Sequence, residues 1–314
     1  MQPETRFINQ TFDKTDLMRK SSPNWAYEET YTLLPQALEG RNSIIFLPQI
    51  QLSYAIRSGG ILYEVASPKG TISVGVVEEL EDKACFGHTK LKEGRVVIFD
   101  DKKPYSMVTN GRFRAAIVSF PKKAYRELSR ELAKHNLEAV GDSDRRLQTL
   151  LENILKKIEK DPSILDNETK AAEMEEEVMQ TVISLFQEQT PTLPKLTKGE
   201  KIALQIRDRI YKRLSKKVTI ASLAQEYGVS EQTLQNAFKS LFGFTPSRFL
   251  RNLKLNHVRR ALIKADPDED AIVHVAKRWG FTHMGHFSRY FTDLFGENPS
   301  VTLKRKADED ETGK

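Results

Sequence analysis

Residues 1–199 of this 314-residue chain hold few side chains of a kind that does chemistry. A metal centre needs histidines and carboxylates gathered at ligand distance. This stretch offers His88 and His135 alone, with nothing clustered around either. No nucleophile is paired with a base, and no glycine-rich phosphate loop is present. The single cysteine, Cys85, cannot close an internal disulfide and reads as a small buried hydrophobe rather than a redox sensor. Tyr54, Arg57, Tyr63 and Tyr105 are candidates to line a small-molecule pocket; the alternative is that they fill core or rim. The expectation is a protein that is not an enzyme, with no cofactor and no metal.

Charge is distributed unevenly. Residues 200–306 hold 20 Lys and Arg against 10 Asp and Glu, a net +10, while residues 1–199 carry 28 basic and 29 acidic side chains. A basic block beside a neutral one is the electrostatic footprint of a polyanion binder. Residues 307–314 are acidic and read as a disordered tail. The N-terminus lacks the apolar core of a signal peptide, and no apolar run approaches the length that crosses a bilayer. A cytoplasmic protein without membrane association is expected.

The elements that must position these residues follow from periodicity. From about residue 25 to 120 the chain reads as β: Ile50–Ile56 alternates, and Ile61–Val65, Thr71–Val77, Arg95–Phe99 and Arg114–Phe120 are short and rich in Val, Ile and Phe. Gly59-Gly60, Pro68–Gly70, Glu93-Gly94 and Asn110-Gly111 punctuate them, and Asn-Gly between apolar runs predicts a hairpin. Short strands with regular turns predict a small barrel or sandwich. Residues 122–190 change to helical spacing, with apolar stripes at Leu147, Leu150, Leu151, Ile154, Leu155 and Ile158, and at Val178, Val182, Leu185 and Phe186. Each stripe must be buried, against the β layer or in a dimer seam. Thr190-Pro-Thr-Leu-Pro194 reads as a linker, because two prolines favour extended backbone. The expected organisation is a β-rich sensor or dimerisation domain over 1–121, a helical region over 122–190, a linker over 191–199, a basic domain over 200–306 and the tail over 307–314.

The basic block repeats itself. Thr219–Ser247 and Ala271–Ser300 align with Ala224 on Ala276, Gly228 on Gly280, Phe238 on Phe291, Leu241 on Leu294, Phe242 on Phe295, Gly243 on Gly296 and Pro246 on Pro299. Each copy has the makings of a helix-turn-helix. A small residue lets the second helix approach, a glycine supplies the positive φ that turns the chain, and a second helix follows with one apolar and one polar face. Ser230 is placed to cap the second helix of the first copy, and Thr282 that of the second. Between the copies Phe249, Leu250, Leu253, Leu255, Val258 and Leu262 predict one helix over 246–264, which would fix the separation of the two reading helices.

With Phe242-Gly-Phe-Thr-Pro-Ser247 closing the first copy, and Gly280-Phe281 and His286-Phe-Ser-Arg289 opening and centring the second, residues 200–306 resemble the DNA-binding domain of the AraC/XylS family. The closing Pro299-Ser-Val-Thr-Leu303 departs from the family pattern, which has a tyrosine there. The resemblance implies reading helices over 230–242 and 282–295 that enter successive major grooves of double-stranded DNA. Base contacts then fall to Gln232, Gln235 and Asn236 in the first helix and to Met284, His286 and Arg289 in the second, with Gly285 beside them. Gln and Asn suit the adenine edge, and Arg suits guanine or a phosphate. Lys239, Arg248, Arg251 and Lys254 are the phosphate candidates, the alternative being solvated charge. By architecture alone the N-terminal part resembles the cupin-like sensor of such regulators. The fold class expected is therefore α+β: a cupin-like β domain with flanking helices, then an all-α domain of two helix-turn-helix units joined by a long helix. The function expected is a sequence-specific transcription regulator, a ligand-responsive activator, probing DNA as a homodimer, with RNA polymerase and a small-molecule effector as further partners. The alternative is an architectural or partner-controlled DNA-binding module without sensing.

Overall fold

The computed structural model describes residues 5–13, 15–27, 30–35, 38–134, 140–142, 145–188, 195–214, 218–265 and 269–304. His135, the prolines of the expected linker and the acidic tail lie outside them. The fold is α+β, and the chain divides into two compact units. One comprises Met1–Thr30, Ala37–Gly59 and Tyr63–Lys195; the other comprises Tyr31–Gln36, Gly60–Leu62 and Leu196–Lys314.

Antiparallel strands form two sheets, for the most part within the first unit. Strands β1 (Phe7–Phe12), β2 (Ala26–Tyr27), β3 (Tyr31–Thr32), β4 (Glu39–Phe46), β5 (Gln51–Ser58), β6 (Ile61–Ala66) and β7 (Thr71–Leu80) are followed by β8 (Ala84–Phe86), β9 (Thr89–Lys90), β10 (Arg95–Asp100), β11 (Tyr105–Thr109), β12 (Phe113–Pro121) and β13 (Val140–Asp142). One sheet has the order β1-β4-β5-β12-β7-β10-β13 and the other β2-β6-β11-β8-β9. Helix α1 (Thr15–Lys20) follows β1; helices α2 (Arg126–Lys134), α3 (Arg146–Lys160) and α4 (Glu168–Glu188) follow β12.

Alternation along the larger sheet sends successive side chains to opposite faces. Leu52 and Tyr54 of β5, Ile72, Val74 and Val76 of β7, and Ala116, Val118 and Phe120 of β12 enter one core with Leu147, Leu151, Ile154 and Ile158 of α3 and Val178, Val182 and Leu185 of α4. Both helical stripes are therefore buried against the β layer, which removes the need for a dimer seam to cover them. The opposite residues of the same strands, Ala55 and Arg57, Gly75 and Val77, Ala115 and Ile117, line a cavity. The expected Asn110-Gly111 hairpin does not form. β11 belongs to the smaller sheet and β12 to the larger, so this turn carries the chain between sheets. Asn110 Nδ2 donates to Asp82 Oδ2 at 2.5 Å and the Arg112 amide to Glu81 Oε2 at 2.8 Å, fixing the crossing by side chains instead of a ladder.

The second unit is helical: α5 (Lys198–Arg213), α6 (Ile220–Glu226), α7 (Glu231–Phe242), α8 (Pro246–Lys264), α9 (Glu269–Arg278) and α10 (Met284–Phe295). Thr197 and Glu200 form a capping box at the start of α5, and Glu200 Oε1 also accepts from Ser240 of α7 at 2.7 Å. Strand β3 and the residues it pairs with, Ile61 and Leu62, belong to this unit. β3 lies along α8. Asn256 Oδ1 accepts from the Thr32 amide at 2.9 Å, Asn256 Nδ2 donates to the Thr32 carbonyl at 2.7 Å, and Asn252 Nδ2 donates to the Leu33 carbonyl at 2.7 Å. Tyr31 is 2% exposed, with Tyr211 edge-on at 5.4 Å and the Arg260 guanidinium 4.4 Å from its ring centre. Placing these residues in a domain bounded at 121 follows sequence order; their packing assigns them to the helical unit. An edge strand needs its outward backbone groups satisfied, and the two asparagines of α8 do this.

Candidate nucleic-acid interface and cavity

The two repeats fold alike. α6 begins at Thr219, whose hydroxyl caps Ser222, and ends before Gly228, where φ is +62°; in the second copy Gly280 has φ of +88°. Ser230 caps α7 by accepting from the Thr233 amide at 3.1 Å. The expected cap at Thr282 is not made: α10 starts one residue later, on His283, without a side-chain bond. The extra residue in the second turn displaces Thr282 from the capping position.

Each reading helix is anchored by its apolar face. On α7, Leu234, Ala237, Phe238, Leu241 and Phe242 are buried, and Phe238 and Phe242 pack on Phe249 of α8 at 5.5 and 6.1 Å. On α10, Phe287, Phe291 and Leu294 are buried with Leu255, Val258 and Leu262 from the far half of α8, Ala276 of α9 and Leu303. Leu303 thus helps to close this core. The same continuous helix is a wall of both cores. Spanning 19 residues, it is about 28 Å long and leaves the two reading helices little freedom to move independently.

The opposite faces carry the predicted readers. Gln232 and Asn236 are exposed and bonded to each other at 2.9 Å, and Gln235 between them is half-buried. His286 and Arg289 are exposed on α10. Met284 differs from the expectation for a base reader. It is half-buried and packed against the second core.

The phosphate candidates also divide. Lys239 is exposed, and Arg248 is half-buried at the mouth of a groove lined by Arg251, Asn252, Tyr290, Asp293 and Pro35. Lys254 is turned inward: its Nζ donates to the Val218 carbonyl at 3.3 Å, and burial lowers its pKa. A Lys whose charge is disfavoured by burial is a poor phosphate ligand. Tyr290, missed in the sequence, organises this surface. Its ring has the Arg251 guanidinium at 4.1 Å, that of Arg289 at 5.5 Å and the His286 ring at 6.1 Å. The signal available was the four-residue spacing of His286 and Tyr290, one helical turn.

In the first unit, a cavity of about 60 Å³ lies between the sheets, walled by Trp25, Phe86, Phe99, Val97 and Met107. Arg57 and Tyr63 meet there, joined by Tyr27, which the sequence reading missed. Tyr54 also borders this cavity, but it and Arg57 are an odd number of residues apart on β5, so their side chains face opposite ways. The Tyr54 hydroxyl donates to the Leu151 carbonyl at 2.8 Å in the helix-facing core, where burial pushes its pKa up. Tyr105 is buried against Phe86, stacked at 5.4 Å, and is not part of the cavity wall. Cys85 is fully buried. Among the described residues no cluster of histidine, cysteine and carboxylate side chains could hold a metal, and no helix is long and apolar enough to cross a membrane.

Comparison with known proteins bears on the second unit. Residues 223–305 match a helix-turn-helix domain family. The probable thc operon regulatory protein of Rhodococcus erythropolis is 37% identical over 87 residues, 28% of this chain and 26% of the relative. The helix-turn-helix repeat of the second unit is thus similar to part of an operon regulator. A XylDLEGF operon transcriptional activator of Pseudomonas putida is 32% identical over 96 residues, covering 31% of this chain and 30% of the activator. The chain thus spans about a quarter to a third of the length of these relatives. The AraC-like transcriptional activator CuxR is similar over 79% of this chain and 93% of its own, at 12% identity and a TM-score of 0.41.

Proposed function

We propose that the protein is a ligand-controlled transcription regulator that reads two successive major-groove segments with α7 and α10. The observation that carries this reading is the sharing of α8 by both helix-turn-helix cores, which fixes the reading helices as one body. Gln232, Gln235 and Asn236 read one segment; His286 and Arg289 contact the other. Lys239, Arg248 and Arg251 position the duplex through phosphates, and Arg251 does so from its stack on Tyr290. Activation by recruiting RNA polymerase, a cytoplasmic setting and a homodimeric state belong to the same proposal, since the relatives it matches are operon regulators and activators. The first unit supplies the sensing, because it holds a walled cavity with polar groups converging on it.

The test is selection of bound sites from random duplex DNA by the full chain, repeated with Gln235→Ala and Arg289→Ala. A motif with two elements about one helical turn apart is expected. Each substitution should relax one element at a cost of about 1–3 kcal/mol. A uniform loss of affinity with no motif would instead favour an architectural module held by phosphates alone.

A further inference from the structure

We propose that the cavity of the first unit receives a small monocarboxylate with an apolar body, and that Arg57 is its counter-ion. The inference deepens the ligand-control reading by naming the class of effector. It depends on that reading only for its regulatory consequence.

Arg57 is 3% exposed. Its Nη2 donates to the Tyr27 hydroxyl at 3.1 Å, and its guanidinium carbon lies 4.7 Å from the centre of the Tyr63 ring. Nε and Nη1 are buried and have no partner. Burial opposes the charge, while the oxygens of Tyr63 and Tyr27 favour it, and the guanidinium remains cationic. Tyr63 supplies no compensating anion: burial pushes its phenol up to about 12, so it stays neutral. No ion pair joins Arg57 to another described residue.

A buried cation with two idle donors is costly, and proteins retain such groups at functional sites. A neutral ligand would leave the charge uncompensated. An anion cancels it and accepts the idle N–H groups in charge-assisted bonds, the arrangement for which guanidinium and carboxylate are matched. The remaining walls select among anions. Trp25, Phe86, Phe99, Val97 and Met107 are apolar, and Arg57 is the one cation among the lining residues. A phosphate would bring a second charge, for which the lining offers no second cation. A carboxylate carries one charge on two oxygens and leaves an apolar body for the aromatic wall. The volume, about 60 Å³, keeps that body short, well below the ~300 Å³ of drug-sized sites.

The experiment is calorimetric titration of the full chain with butyrate and hexanoate, each compared with its amide, and repeated on Arg57→Met and Arg57→Lys. The acids should bind at least about tenfold more tightly than the amides. Arg57→Met should abolish that preference and Arg57→Lys should keep part of it. Because the methionine removes an uncompensated buried charge, the ligand-free variant should melt no lower than the wild type. Should the methionine variant misfold, the acid-against-amide comparison on the wild type still decides. Equal binding of acid and amide, no binding of either acid at about 10 mM, or an Arg57→Met variant that keeps the preference would each overturn the proposal. Acid binding that leaves operator affinity unchanged would uphold the site and remove the regulatory reading. Operator affinity that answers only to a neutral compound would do the reverse.

Discussion

Replacing Asn256 by alanine removes the amide that pairs β3 with α8. Two bonds to β3 are lost: the Thr32 amide gives up its acceptor at 2.9 Å and the Thr32 carbonyl its donor at 2.7 Å. A third bond, from Asn256 Nδ2 to the Asn252 carbonyl at 2.7 Å, goes with them. That carbonyl keeps its place in the helix ladder, so the cost falls on Thr32. An orphaned buried backbone group costs about 1–3 kcal/mol, and the surroundings of Thr32 are only partly buried, so water recovers some of it. About 2 kcal/mol in total is the expected loss, a factor of ~30 in the local opening equilibrium. Native-state amide exchange of the full chain measures this at Thr32. Asn252→Ala, which removes one bond to the Leu33 carbonyl, should cost about half as much. A change of less than about twofold at Thr32 would refute the reasoning. It would mean that β3 is held by its pairing with Ile61 and Leu62 alone.

Other outcomes follow from the same contacts. Phe238→Ala removes a fully buried ring that packs on Phe242 and Phe249; a loss of ~3–5 kcal/mol is expected in the stability of α7 by exchange, with the recovered DNA motif losing its first element and keeping its second. Ser230→Ala removes the cap bond to the Thr233 amide and should destabilise α7 by about 1 kcal/mol in the same measurement. Glu78 is raised above its ordinary 4.5 by burial, against the lowering effect of Arg114. The folded chain therefore holds that proton longer than the unfolded one, and stability falls as pH rises from 4.5 toward the folded-state value. Denaturant unfolding across that range should lose this slope in Glu78→Gln.

The helix-turn-helix repeat of the second unit was legible in the sequence because its signals are local. A helix start, a turn glycine and a one-sided apolar stripe each depend on residues within four positions of one another. The repeat doubles them, so Ser230, Gly228 and the 246–264 helix were readable before any fold was known. The failures there were local too. One extra residue in the second turn moved the cap from Thr282 to His283, and Met284, in the first turn of α10, packs against the second core. In the first unit alternation predicted strands correctly but could not say which strands pair. Asn110-Gly111 has the residues of a hairpin, and only the sheet order makes it a crossing between sheets.

What the sequence by itself determined is the chemistry present: a basic double helix-turn-helix, a β region poor in reactive groups, and two amphipathic helices in need of a surface. The tertiary structure decided what those groups face. Tyr27, Arg57 and Tyr63 come from three strands, and register alone brings them to one cavity while sending Tyr54 to the opposite core. Asn252 and Asn256 carry no signal within the connecting helix, and their role is set by β3, more than 200 positions earlier, lying along them. The physical reason is the same in each case. Hydrogen bonding and periodicity within a segment are written in neighbouring residues, whereas the burial of a charge or an edge depends on a partner that sequence distance does not constrain.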